Sequence, residues 1–303
     1  MTSEDSHENL SLEKMARELE ASGLYRVLRK LDVSAMLEID DGSPTRTGIF
    51  VDVESTGLNS ASDEVIEIAL LPFRYSLDGR IFSFERPIHQ LNEPRGPLPP
   101  EITAITGITD EMLKGRRLAV TEIEGCLKHA SIIVAHNAAF DRPFTENLSP
   151  VFAEKPWACT MSDVPWKEEG VEGRRLADLL SNFHYFFDPH RAVDDCHAGL
   201  ALLACQLPRS GRRVLERLLE NARESIWRIF AVDAAFHLKD LLKSRGYRWN
   251  SDRAFGPRAW WIDLNRANVE TELNFLREKV LGQSIEIPVF EISAFNRYSL
   301  RAG

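Results

Sequence analysis

Nowhere in this 303-residue chain does an uninterrupted apolar run approach the roughly 20 residues a membrane-spanning helix needs. No membrane association is therefore expected. Cysteine is scarce: Cys126, Cys159, Cys196 and Cys205 are the full set, and none forms a CxxC pair. That removes the signature of a zinc ribbon or of a dithiol redox site. Cys196 and His197 lie near other histidines, but their spacing fits no common zinc pattern. Such usage points to free thiols in a reduced, cytoplasmic setting. Residues 1–9 are polar and acidic, with no apolar stretch of the kind a signal peptide carries, and are expected to be disordered. A surplus of positive charge is also missing: 37 Lys and Arg stand against 46 Asp and Glu, a net −9. The deficit is uneven, because residues 207–303 hold 17 basic against 12 acidic side chains while residues 1–206 hold 20 against 34. An acidic first part can bind a polyanion only if cations neutralise its site, whereas the basic last part can hold one directly.

What is present centres on residues 48–58. Ile49, Phe50, Val51 and Val53 read as a buried strand, and Asp52 and Glu54 sit within it. Side chains alternate along a strand, so these two acids share a face. Paired carboxylates on a mostly buried strand are costly unless a cation lies between them, and a hard divalent ion is the usual one. The bland alternative is two solvated acids on an open sheet face. More acids of the same kind further along decide against it.

Before this strand, residues 10–31 read as two short helices broken at Gly23, and 39–47 as a linker. After it, 64–71 and 80–85 read as strands joined by the Asp78-Gly79 turn, giving an antiparallel meander. Thr109 or Asp110 is expected to cap a helix. Residues 131–135 form a buried strand that runs into His136-Asn137-Ala138-Ala139-Phe140-Asp141, where a helix should begin with Pro143 in its first turn. A short strand is expected at 157–160 and a helix over 174–182. A further helix is expected to be capped by Asp188 with Pro189 at its first position, carrying His190, Asp194 and Asp195 in its first turns. Three meander strands followed by alternating helix and strand imply an α/β fold, a mixed sheet with helices on its faces.

Asp52, Glu54, Asp141 and Asp195 (or Asp194), with His190, thus fall at strand ends and helix starts. Such a set suits metal-assisted phosphodiester hydrolysis, with a histidine taking the proton of the attacking water. Asp52-Val53-Glu54-Ser55-Thr56-Gly57-Leu58, Ala135-His136-Asn137-Ala138-Ala139-Phe140-Asp141 and His190-Arg191-Ala192-Val193-Asp194-Asp195 resemble, in order, the three motifs of the DEDDh 3′–5′ exonuclease superfamily, its bacterial proofreading (epsilon-like) branch. Residues 105–109 resemble a fourth segment of that family. The likeness covers 47–206. It implies a ribonuclease-H-like mixed five-stranded sheet and two Mg²⁺ or Mn²⁺ ions held by Asp52, Glu54, Asp141 and Asp195, with His190 as general base. It further implies Leu58 and Ile105 wedged against the last bases and Asn137 at the terminal nucleotide. The substrate implied is a single-stranded or frayed DNA 3′ end; the same chemistry on RNA, or a nucleic-acid-binding adaptor, are the rivals. In an ideal helix Asp194, not Asp195, would neighbour His190; the motif selects Asp195, with His190 on the loop before the helix.

Residues 1–46 read as a helical appendage and linker, and 207–303 as a linker helix plus a small α+β C-terminal domain. That domain resembles an extension on some epsilon-like exonucleases. The linker helix is expected over 213–224, and the domain, 227–303, is expected to contain helices over 236–246 and 268–281 and strands at 247–249, 258–264 and 285–292. Aromatic and basic residues interleave here (Arg248, Trp249, Arg258, Trp260), suiting either base stacking or a small core rich in large side chains, the tryptophans fitting the core better. A protein partner could also dock on this part. Nothing resembles a polymerase, a helicase or a clamp-binding segment, so independent action is expected.

Overall fold

The computed structural model describes residues 3–251, 256–283 and 285–301. Helix α1 (Ser3–Ala21) and the short strand β1 (Arg29–Lys30) come first. Strands β2 (Arg46–Ser55), β3 (Val65–Tyr75), β4 (Ile81–Phe84) and β5 (Ile88–Leu91) follow. Helices α2 (Pro100–Thr106), α3 (Asp110–Leu113) and α4 (Val120–Leu127) lead to β6 (Ile132–Ala135). Then come α5 (Ala138–Leu148), α6 (Val151–Glu154), β7 (Trp157–Cys159), α7 (Leu176–Asn182), β8 (Tyr185–Phe186) and α8 (Ala192–Ala204).

The main sheet runs β4-β3-β2-β6-β7, antiparallel through the meander and parallel from β2 through β6 to β7. It has a sixth strand beyond the five expected. β3 is long enough for its outer edge to pair with β4 at one end and β5 at the other, both antiparallel. Alternation along β2 divides the core. Ile49, Val51 and Val53 pack with Leu127, Phe144, Phe152 and Trp157 beneath α4, α5 and α6. Phe50 packs on the other face with Leu179 of α7 and Cys196 and Leu200 of α8. Asp52 and Glu54 share the parity of Phe50 and therefore face α8.

Several local expectations change. A continuous α1 replaces the disorder expected over 3–9 and the first of the two short helices, residues 1 and 2 lying outside the described residues. The chain after Gly23 is not helical, because 29–31 is drawn into backbone pairing with 184–186 instead, Arg29 N–H donating to the carbonyl of His184 at 2.8 Å. Arg29 also pairs with Glu13 and Glu20 of α1 at 2.9 and 3.1 Å, folding the appendage back. Pro143 lies in the second turn of α5, not its first. The Thr109 hydroxyl caps α3 by accepting from Met112 N–H.

Helix α9 (Val214–Arg223) adds Leu215, Leu218 and Leu219 to the core that holds α8. Beyond it, β9 (Ile226–Ala231), α10 (Lys239–Ser244), β10 (Arg248–Trp249), β11 (Trp260–Leu264), α11 (Arg266–Leu276) and β12 (Val289–Ile292) build an antiparallel sheet of order β10-β11-β9-β12. β9, at its interior, was not anticipated from the sequence. Residues 293–301 then cross back to α5. Fully buried Arg142 donates to the carbonyls of Ala294, Phe295 and Arg297 at 3.2, 2.6 and 2.7 Å. Arg297 in turn donates to Asp163 at 2.9 Å. Among the described residues no helix is long and apolar enough to cross a membrane.

Candidate active site

One close approach sets the site. A Cβ on Gly199 would meet the Phe50 ring at 2.0 Å, so only glycine lets α8 lie this near β2. One turn earlier on the same face of α8 is Asp195. Two residues along the same face of β2 from Phe50 is Asp52. The Gly199–Phe50 contact therefore delivers the helix acid to the strand acids: one ligand oxygen each of Asp52, Glu54 and Asp195 lie within 4.8 Å of one another. Asp141, in the first turn of α5, is buried beside them and its Oδ1 accepts from Val53 N–H at 3.2 Å. Together with Asn137, Phe140 and His190 these four acids line a pocket of about 440 Å³.

Asp194 points away, exposed, into a separate depression with Lys30 and His197. α8 begins at Ala192, so Asp188 and Pro189 precede it and do not cap it. His190 lies in that approach with φ +72°, a left-handed backbone that redirects the chain into the helix. The two N–H groups released there, of His190 and Arg191, donate to Asp195 Oδ2 at 2.7 and 3.1 Å.

The carboxylates repel one another. Burial, followed by the charges of Asp141 and Asp195, pushes Asp52 well above the usual carboxylate range. Burial likewise raises Asp141. Glu54 is pushed up to about 8 by burial and then by Asp195 and Glu67, with Arg191 opposing. Asp195 rises to about 6 by burial, against the pull of the His190 and Arg191 N–H groups. Four hard oxygen donors in this state fit a divalent ion such as Mg²⁺ or Mn²⁺.

Sequence reasoning missed the supports. Glu67 lies opposite Glu54 in the β2–β3 register and is fully buried. Burial alone would raise it, but Arg191 at 2.9 Å, Ala192 N–H at 3.1 Å and His89 at 2.7 Å hold it low and charged. Glu67 thus caps α8 and fixes its start from the neighbouring strand. The alternation of β3, read against that of β2, was the available signal. His136 is the second support. Its Nε2 donates to the carbonyl of Arg174 at 2.9 Å, so its Nδ1 accepts from the Thr160 hydroxyl at 2.8 Å. With both nitrogens engaged, it braces the loop that carries Asn137. Leu58 is 87% exposed and Ile105 55% exposed, two large apolar side chains presented to solvent. Leu58 lines a depression with Asn137 and Phe140 that adjoins the carboxylate pocket; Ile105 stands on α2 outside it.

An exonuclease family model, RNase T, matches residues 49–203. The DNA polymerase III PolC-type of Thermotoga petrophila is 30% identical over 175 residues, 52% of this chain and 12% of that protein. Its counterpart from Halalkalibacterium halodurans is 32% identical over 162 residues, 50% of this chain and 10% of that protein. The chain therefore spans about a tenth of the length of these curated relatives. A solved exonuclease I, described as suggesting how processivity is achieved, superposes with a TM-score of 0.51 at 15% identity, covering 77% of this chain and 71% of that one, a likeness of fold.

Proposed function

The chain belongs to the DEDD 3′–5′ exonuclease superfamily, and from that premise we propose that it removes nucleoside monophosphates from DNA 3′ ends by metal-dependent hydrolysis. The observation that carries the proposal is the gathering of Asp52, Glu54 and Asp195 oxygens within 4.8 Å, with Asp141 buried alongside. These four acids would hold the ions. Two divalent ions, when bound, supply Lewis acidity to water and to the scissile phosphate and neutralise the charge that builds on it. His190, at the pocket wall, would take the proton of the attacking water. Its left-handed backbone aims the residue without committing it to the helix. Leu58 and Ile105 would wedge against the last bases, an apolar role their exposure suits. Asn137, between the carboxylate pocket and the Leu58 depression, would meet the terminal nucleotide.

The test uses 5′-labelled single-stranded DNA and RNA of one sequence, with Mg²⁺, Mn²⁺ or EDTA, for the wild type and Asp52→Ala. The expected result is a metal-dependent ladder shortening from the 3′ end, faster on DNA and lost in the variant. A faster ladder on RNA would move the reading to an exoribonuclease. Binding without any ladder would leave an adaptor.

A further inference from the structure

The C-terminal sheet has two unlike faces. Trp260, Ile262 and Leu264 of β11 and Ile229 of β9 pack against α10 and α11. The alternate residues face the other way, toward the exonuclease sheet, across a cleft of about 650 Å³ lined by Arg228, Arg248, Trp261, Asp263, Ile292 and Arg297. On this face the guanidinium carbons of Arg228 and Arg248 lie 4.2 and 3.9 Å from the Trp261 ring centre. Asp263 holds Arg228 at 2.8 Å and reaches Arg248 at 3.6 Å. Arg248 stays 63% exposed, and Phe290 on the edge strand is 41% exposed on the same face. Buried Arg297, on the cleft wall, has no hydrogen-bond partner at Nε.

The cleft neighbours the catalytic pocket by way of the Leu58 depression. Ala139 and Leu300 line both the cleft and the depression beside Leu58, and Asn137 and Phe140 line both that depression and the carboxylate pocket. A path of the right chemistry thus runs from acids, through exposed apolar side chains, to a guanidinium–indole stack. The basic balance of residues 207–303 complements a polyanion, whereas the acidic remainder does not.

We propose that this open sheet face is a platform for single-stranded DNA, receiving the nucleotides 5′ of the scissile bond, with Arg248 stacking a base and pairing with a phosphate. This rests on the exonuclease reading for its polarity. Arginine planes and aromatic rings on a sheet take bases of any identity, so the platform confers length dependence and not sequence preference.

The test is fluorescence anisotropy of 5′-labelled dT4 and dT12 with the full chain in EDTA, so that no cleavage intervenes. Wild type should bind dT12 at least tenfold more tightly than dT4. Arg248→Glu should weaken dT12 by tenfold or more. Lys279→Glu, the same charge change at an exposed site of the same unit outside the cleft, should stay within twofold. Equal affinity of wild type for both lengths, or equal effects of the two variants, overturns the platform and leaves the cleft to a protein partner. Length-dependent binding without hydrolysis in Mg²⁺ or Mn²⁺ would sink the exonuclease reading and keep the platform.

Discussion

Asp194 and Asp195 are adjacent and chemically identical, yet one joins Asp52 and Glu54 and the other faces solvent. The choice is made by Gly199, four residues beyond Asp195, which sets the face of α8 that meets β2. Asp195→Ala should cost at least about 10²–10³-fold in turnover, on the scale of losing a preorganised charge-stabilising group. Asp194→Ala should keep activity within a few fold, as steady-state hydrolysis of labelled DNA will read. Charge sets a second expectation. Folded Glu54 keeps its proton up to about pH 8 and Asp195 up to about pH 6, against 4.5 and 3.8 for the free groups. Between those limits the metal-free folded state binds more protons than the unfolded chain, so its stability falls as pH rises. A divalent ion held by the four acids, as proposed, would reverse this where they ionise. The melting-temperature gain on adding Mg²⁺ should therefore be larger at pH 8 than at pH 5.5. At 100 times its dissociation constant the ion contributes about 2.7 kcal/mol. An equal gain at both pH values would contradict the site.

At the scale of elements, strand period and motif order revealed the meander, β6 with the start of α5, and the acids that α8 would bring. The sequence could not reveal how α8 is held. Glu67 looked like one polar residue in an apolar strand. Its meaning appears only when β3 lies beside β2 and places it under the N-terminus of α8, against Arg191. The Asp188-Pro189 pair misled because a local cap signal was overruled by that cross-strand one. β9 escaped notice because Trp227 and Arg228 gave no clean alternation, both faces of that strand being occupied. Glu67→Gln should cost on the order of 3 kcal/mol, the scale for breaking a buried ion pair, and loosen the helix start. Gly199→Ala drives a methyl into Phe50 and should cost about 1–3 kcal/mol as overpacking. Because it also shifts Asp195, its turnover should fall at temperatures where circular dichroism still reports a folded chain.

Across the whole molecule, the segment 293–301 ties the C-terminal sheet to the nuclease sheet. Fully buried Arg142, which donates to three of the segment's carbonyls, is one anchor, beside the bonds of Arg297 and Tyr298 to Asp163. No sequence pattern marked Arg142 for this, since its acceptors are backbone oxygens supplied by residues more than 150 positions away. Arg142→Ala should lower the melting temperature and free the segment, so that trypsin cuts at Arg297 in native buffer; a cleavage pattern like that of wild type would contradict the anchoring role.

That arginine also imposes an order in time. Its acceptors follow it by 152 to 155 residues, an interval of about 8–30 s at the usual pace of synthesis. Until they emerge, Arg142 has Glu146 at 2.7 Å but lacks the backbone partners that make its burial tolerable. The nuclease sheet can pair its strands as they appear, yet the flank covered by α5 stays wet until residues 294–297 arrive. Residues 294–297 are thus what seals a core laid down more than 150 residues earlier.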